Sequence, residues 1–419
     1  MNAPEASAML KQHLIDPEIC IRCNTCEDTC PIKAISHDSR NYVVDASVCK
    51  ACMACIAPCP TGAIDNWRLL PPERAYSLSE QLGWDELPAE DAGGSAQPGA
   101  AAVALREPLV VVVSAAPPSA VAAAAAPLSA SVPPWSAAHP YLNLYGAKAP
   151  VTATVVGNFK VTHGAPDSDT HHVMLDFGAM PFPVLEGQSL GVVPPGADAT
   201  GRPHHARQYS VASPRNGERA GYNNLSLTVK RVTLDHQGQP VRGVCSNYLC
   251  DAKVGDQVQV IGPFGSTFLM PNHPGSNLLM ICTGTGSAPM RAMTEYRRRL
   301  QGKVPGGRLM LFFGARTQEE LPYYGPLMKL PKDFIDINLA FSRRPGAPKH
   351  YVQDLLRDRA ADVAALLADA NTCVYVCGLK AMESGVAAAL REVANGHGLA
   401  WDECLGQMQR DGRIHFETY

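Results

Sequence analysis

Two cysteine arrays of identical spacing constrain this chain more than any other feature: Cys20-x2-Cys23-x2-Cys26-x3-Cys30-Pro31 and Cys49-x2-Cys52-x2-Cys55-x3-Cys59-Pro60. Eight of the 14 cysteines lie between Cys20 and Cys59. In a reducing compartment such density means metal or redox chemistry rather than disulfides. The stretch has little apolar core of its own, so it needs its inorganic centres in order to fold. Three close cysteines on a tight loop supply three corners of a four-thiolate site, and the fourth must come from elsewhere. Structural zinc also uses C-x2-C pairs, but usually with a longer loop between pairs and often with histidine. Here all eight ligands are cysteine, and the third Cys and the Pro recur in both arrays. The duplication predicts two short hairpin-helix halves related by a pseudo-twofold axis.

At 419 residues the chain is long enough for about three domains. Charged residues make up 18% and the formal net charge is -3, so no basic excess exists to release counterions from phosphate, and nucleic acid is not an expected partner. No run reaches the ~18 apolar residues of a membrane span. Met1 to Leu14 lacks the basic start and apolar run of a signal peptide, so a cytoplasmic location with no membrane partner is expected. The cysteine-rich module is assigned to residues 1–68, and 69–145 read as an Ala/Pro-rich linker. Between Ala92 and Pro134 only Arg106 and Glu107 are charged. Its apolar run Leu109 to Val113 suggests at most a transient strand or docking patch.

Residues 146–274 carry short alternating runs, as in Leu225 to Val232 and Asp256 to Ile261, which argue for an antiparallel β-barrel. From 275 to 419 buried apolar runs (Leu278–Cys282, Arg308–Gly314, Ile335–Phe341, Cys373–Cys377) alternate with helical patterns around Met290–Leu300, Val352–Leu367 and Lys380–Val393. That is the signature of a doubly wound α/β domain. The fold class is therefore multidomain: an α+β cysteine module, an antiparallel barrel and a doubly wound nucleotide domain.

Several motifs in the last two domains suit phosphate and ring binding. In Arg207-Gln-Tyr209-Ser210 the Arg can grip a diphosphate, the Tyr can stack on a flat ring, and the hydroxyl can reach its edge. Lys230 follows in a strand, and Gly243-Val244-Cys245-Ser246-Asn247 would offer backbone amides to a phosphate at a helix start. The loop Thr283-Gly284-Thr285-Gly286-Ser287-Ala288-Pro289 is G-x-G-x-x-P, so it fits a strand-to-helix phosphate turn but not the usual dinucleotide fingerprint. Ser342-Arg343-Arg344, Lys349 and Tyr351 supply the hydroxyl, cations and aromatic platform that a 2'-phosphorylated adenosine needs. Cys377 alone reads as a buried thiol at a strand end.

The first segment resembles the bacterial two-cluster ferredoxins, in which the fourth cysteine of each run serves the other cluster. The resemblance implies one 4Fe-4S cluster on Cys20, Cys23, Cys26 and Cys59 and a second on Cys49, Cys52, Cys55 and Cys30. Ile19, Ile32, Ile35, Ile56 and Ile64 would then exclude water from them. Taken in order, the motifs between about Lys148 and Tyr419 resemble the plant-type ferredoxin-NADP reductase family, as do Cys377-Gly378-Leu379-Lys380-Ala381-Met382-Glu383 and Glu417-Thr418-Tyr419. That implies FAD on Arg207, Tyr209, Ser210, Lys230, Val244, Cys245, Ser246 and Asn247. NADPH is implied along Thr283, Gly284, Thr285, Gly286, Ser342, Arg343, Lys349, Tyr351, Gly378 and Met382. Tyr419 would lie on the flavin, with Ser210, Cys377 and Glu417 about the hydride-transfer site. The module order resembles the reductase components of benzoyl-CoA epoxidase systems, which implies an NADPH-dependent oxidoreductase feeding single electrons to a di-iron oxygenase component in aerobic benzoate breakdown. Service to a different oxygenase or reductase, or non-catalytic electron carriage, are the alternatives. The linker is expected to let the cysteine module move between flavin and acceptor.

Overall fold

The computed structural model describes residues 9–89, 140–163, 168–235, 237–271 and 273–419; the Leu109 to Val113 run lies outside them. In the cysteine-rich segment β1 (Leu10–Leu14) pairs antiparallel with β4 (Asn66–Leu70), and β2 (Ile35–His37) with β3 (Tyr42–Val44). Helix α1 (Thr25–Thr29) sits in the first half. The corresponding stretch of the second half is a run of turns, with Ile56 N donating to Met53 O and Cys59 N to Ile56 O. Pro58 occupies the place of Thr29 there, and a proline has no N–H to extend a helix. The halves close on Ile15, Ile35, Tyr42, Val44, Ala63 and Ile64.

This module does not stop at residue 68 as expected. Beyond β4 a 3-10 turn leads into α2 (Leu78–Gly83), started by a Ser77/Glu80 capping box. Gln81 is buried and makes two hydrogen bonds to Val44, its Oε1 accepting from Val44 N at 3.0 Å and its Nε2 donating to Val44 O at 2.9 Å. Asn41 Nδ2 donates to Gln81 O at 3.1 Å and Trp84 O at 2.7 Å. Two polar side chains, rather than an apolar stripe, fasten this segment, so hydrophobic periodicity had nothing to detect. The other boundary shifts too: Asn143 N and Tyr145 N donate to Pro263 O and Gly262 O, joining residues before 146 to the barrel.

The barrel comprises β5 (Val151–Lys160), β6 (Thr170–Asp176), β7 (Ser189–Val193), β8 (Arg207–Ser210), β9 (Asn224–Lys230) and β10 (Gln257–Phe264), in the order β8-β7-β10-β5-β6-β9. All neighbours are antiparallel. Just past β8 the sheet closes on β9, where Ala212 N donates to Ser226 O at 2.8 Å. Alternate residues such as Val151, Ala153 and Val155 point inward. Helix α3 (Val244–Asp251) buries Cys245, Leu249 and Cys250 against the barrel core.

In the last domain β11 (Asn277–Thr283), β12 (Leu309–Ala315), β13 (Asp336–Phe341), β14 (Thr372–Gly378) and β15 (Ile414–Thr418) form one parallel sheet in the order β13-β12-β11-β14-β15. Around it lie α4 (Ser287–Leu300), α5 (Tyr324–Leu327), α6 (Val352–Asp358), α7 (Ala360–Ala368), α8 (Lys380–Gly396) and α9 (Trp401–Arg410). The single helix expected over 352–367 is two, parted at Arg359, whose guanidinium holds Asp336 and Asp362. Separate apolar cores cover the two faces of the sheet.

Helix α4 joins the domains through arginines. Buried Glu218 of the barrel takes two bonds from Arg291, each 2.8 Å, and one from Ser226 Oγ at 2.6 Å. Burial would raise the Glu218 pKa, but the Arg291 charge holds it well below the usual carboxylate range. Tyr323 Oη completes the seam with Thr228 Oγ1 (2.7 Å) and His172 Nδ1 (3.0 Å). Three consecutive arginines then diverge. Arg297 binds His273 O and Ser276 O ahead of β11, and Arg299 binds Gly217 O and Glu218 O of the barrel. Arg298 reaches Asp16, at 3.2 Å, and Glu18 of the cysteine module.

That module is thus seated on the barrel and the last domain rather than standing off them. Arg219 of the barrel donates to Ile56 O (3.0 Å), Ala57 O (3.1 Å) and Asp65 (3.0 Å). On the third side Lys329 donates to Arg40 O at 3.0 Å and to Asn41.

Candidate functional site

Strand β11 ends at Thr283 and the chain turns through Gly284–Gly286 into α4, at the carboxyl edge of the parallel sheet where such folds bind ligands. Gly284 has φ +54, a left-handed conformation that suits glycine. Gly286 is needed for a different reason, since a Cβ there would lie 2.2 Å from Cys377 O. The turn is therefore locked against the end of β14, with Leu379 N donating to Thr283 Oγ1 at 3.3 Å and Thr283 Oγ1 contacting the Met382 sulfur at 3.0 Å.

Strand register places Glu417 opposite Cys377. Cys377 is fully buried, and burial pushes its thiol up. Glu417 Oε2 is buried without a hydrogen-bond partner among the described residues, and burial raises its pKa. A shielded, unpartnered carboxyl is what a binding site leaves for a ligand. Tyr419 follows, its backbone tied to Gly378 and Lys380. Its hydroxyl meets Thr285 Oγ1 at 2.5 Å, yet the residue stays 60% exposed. Cys377, Glu417, Tyr419 and Thr285 therefore converge. Ser210 does not touch them; it lies half-buried on the barrel beside Ser189 of β7.

On the barrel side Arg207 is exposed and makes no ion pair among the described residues. Tyr209 packs against Cys245, which links the Arg207–Ser210 strand to the start of α3. Gly243 caps α3 without a side chain in the way, so the amides of Val244, Cys245 and Ser246 are free of a capping side chain. Ser246 and Asn247 turn back instead to brace the preceding loop through Val232 and Gly243. Lys230 ends β9 exposed. Ser342, Arg343, Lys349 and Tyr351 lie beyond β13 on the far edge of the sheet. Arg343, Lys349 and Tyr351 are exposed, and Tyr351 starts α6.

The eight cysteines divide into two sets. Cys20, Cys23, Cys26 and Cys59 line one cavity with Ile15, Tyr42 and Ile64. Cys30, Cys49, Cys52 and Cys55 line another with Ile32, Ile35 and Val44. Each set supplies four thiols, the ligand count of a 4Fe-4S cluster. Burial lifts Cys20 to about 12 and Cys55 to about 11. Thiols held so far up need a cationic centre beside them to stay ionised.

The loops carry a signal that residue identity concealed. Arg22 and Asn24 in the first array, and Ala51 and Met53 at the corresponding places in the second, all have positive φ. Non-glycine residues there are strained by roughly 1 kcal/mol each. Ala51 N lies 3.5 Å from Cys49 Sγ, and after Lys33, also at positive φ, Ala34 N lies 3.2 Å from Cys30 Sγ. Arg219, Arg298 and Arg291 were also invisible as site residues, because their partners lie in other domains.

Comparison with known proteins now decides the family. A model for the oxidoreductase NAD-binding domain matches residues 280–388, and one for a 4Fe-4S dicluster domain matches 12–60. The cyanelle ferredoxin-NADP reductase of Cyanophora paradoxa is 36% identical over 291 residues, covering 66% of this chain and 79% of that one. The root isozyme of Oryza sativa subsp. japonica is 36% identical over 302 residues, covering 68% and 79%. The chain belongs to the ferredoxin-NADP reductase family. Ferredoxin-NADP reductase from Plasmodium falciparum, solved with 2'P-AMP, shares the fold with a TM-score of 0.53 over 67% of this chain and 100% of its own, at 23% identity. As a member of the ferredoxin-NADP reductase family the chain is an oxidoreductase using FAD and NADP(H), with 4Fe-4S iron-sulfur ligation in its cysteine-rich segment. No helix among the described residues is long and apolar enough to cross a membrane.

Proposed function

We propose that the chain takes reducing equivalents from NADPH and delivers them singly, through two 4Fe-4S clusters, to the di-iron oxygenase component that epoxidises benzoyl-CoA. FAD, when bound, would supply the conversion between the two electrons of one hydride and single-electron transfer. The chain's own residues set the geometry. Arg207 and the α3 amides would hold the flavin diphosphate, and Tyr209 would meet its ring. Tyr419, whose hydroxyl meets Thr285, would cover the ring and give way to nicotinamide. Glu417 and Cys377 form the dry wall beside the transfer point, while Ser342, Arg343, Lys349 and Tyr351 select the 2'-phosphate.

One observation carries the electron route: the module is seated by Arg219 on the barrel and by Arg298 on the nucleotide domain, with the Cys20 set nearest the reductase. Ile19 and Ile21 face Ser287, Met290 and Tyr323 there. The Cys49 set is lined by module residues only and leaves Cys52 exposed. In that placement the Cys20 set would hold the cluster on the reductase side and the Cys49 set the cluster on the outer side. The benzoyl-CoA assignment rests on module order. The test is anaerobic titration with NADPH, which bleaches both flavin and iron-sulfur absorbance, followed by reconstitution with a benzoyl-CoA oxygenase. NADPH oxidation coupled to benzoyl-CoA-dependent oxygen uptake is the expected result; coupling to a different oxygenase or reductase instead would displace the assignment.

A further inference from the structure

The duplication in the cysteine module extends to its hydrogen bonds. Under the shift that carries Cys20 to Cys49, Asp16 corresponds to Asp45. Cys20 N donates to Asp16 O (3.1 Å) as Cys49 N does to Asp45 O (2.9 Å). Asp16 N donates to Ala63 O and Asp45 N to Ala34 O, both at 2.8 Å. Asp16 Oδ1 accepts from Glu18 N, and Asp45 Oδ1 from Ser47 N, both at 2.9 Å. The module therefore has two equivalent faces, one beside each cysteine set.

Among the described residues only one face is used. Arg298 binds Asp16 and Glu18, Arg219 binds the Ile56 and Ala57 carbonyls, and Ile19 packs against the nucleotide domain. The equivalent positions, Asp45, Ser47, Val48, Glu27 and Asp28, border the other set. Ser47 and Asp28 are exposed, and Val48 is 39% exposed where its counterpart Ile19 is half-buried. Lys50 replaces Ile21 on this face, making it more polar than the internal contact, as suits a partner that binds and leaves.

We propose that this second face is where the electron-accepting protein docks, and that the acceptor presents Arg or Lys side chains to Glu27, Asp28 and Asp45 as the reductase half presents Arg219 and Arg298 to the first. The inference rests on the electron route above. One electron leaves the cluster of the Cys30, Cys49, Cys52 and Cys55 set and reduces the acceptor's centre by one, NADPH supplying the pair.

The test uses the full holoprotein with lysine-rich cytochrome c as protein acceptor and ferricyanide as small acceptor. Asp28→Lys and Val48→Lys, made separately, should each lower kcat/KM for cytochrome c about tenfold at low salt. Ferricyanide turnover and NADPH bleaching of the clusters should stay unchanged, as should all three readouts in the control Glu403→Lys, which makes the same charge change on α9. Unaltered cytochrome c reduction in both variants, or an equal loss in the control, overturns the proposal. Wild-type protein whose flavin alone bleaches with NADPH overturns the electron route itself, and is read before any variant is made.

Discussion

Arg219 of the barrel donates to Asp65 of the cysteine module across 3.0 Å, and the same guanidinium holds the carbonyls of Ile56 and Ala57 just before the ligand Cys59. Burial raises the Asp65 carboxyl while the Arg219 charge lowers it, with burial the larger effect. The pair thus costs desolvation on both sides, and its return is orientation.

Arg219→Ala should leave NADPH-to-ferricyanide turnover intact while slowing NADPH reduction of the clusters by about tenfold or more, because a small misplacement of donor and acceptor costs rate steeply. Stopped-flow absorbance separates the two. Equal rates of cluster bleaching in variant and wild type would show that this docking contact does not set the route.

The cavities assign Cys59 to the first set and Cys30 to the second. Cys59→Ser should therefore remove the cluster belonging to the first array and halve the iron, while Cys30→Ser removes the other. Iron analysis with low-temperature EPR of the reduced protein checks this, since the surviving signals must differ between the two variants.

At the nucleotide edge, Arg343→Ala should raise KM for NADPH about ten- to hundredfold, the worth of one charge-assisted bond, and leave KM for NADH within about twofold. Steady-state kinetics with both nucleotides decide it; equal losses would place the 2'-phosphate elsewhere.

One buried and one half-buried histidine make the fold acid-sensitive. Burial lowers His172 and His415 to about 4, and His415 stacks on Tyr375 at 4.9 Å. The unfolded chain takes up these protons below about 6.5 and the native chain only near 4, so stability is full above that window and falls through it. Each histidine should cost about 2 kcal/mol by about pH 5. Thermal unfolding against pH should slope less in His415→Phe, which preserves the stack; an unchanged slope would remove His415 from the account.

Much of this architecture was legible before any coordinates. The Cys spacing marked the cavities, alternation in Leu225 to Val232 marked a barrel strand, and the four apolar runs after Gly275 marked parallel strands, because each reports its own local burial. What escaped was polar and long-range. Gln81 and Asn41 attach α2 with amide groups, Arg298 seeks carboxylates 280 residues away and more, and Arg22 and Met53 hold left-handed backbone with no glycine to betray it. Nothing in a local pattern distinguishes such side chains from solvated ones.

The three neighbouring arginines at the end of α4 face three different neighbours: the approach to β11, the barrel and the cysteine module. A fusion assembled this way is not a string of interchangeable parts. Grafting a foreign ferredoxin onto this reductase would require acids at the places of Asp16 and Glu18. Replacing the reductase would in turn strand those acids, so the two halves must change together if they change at all.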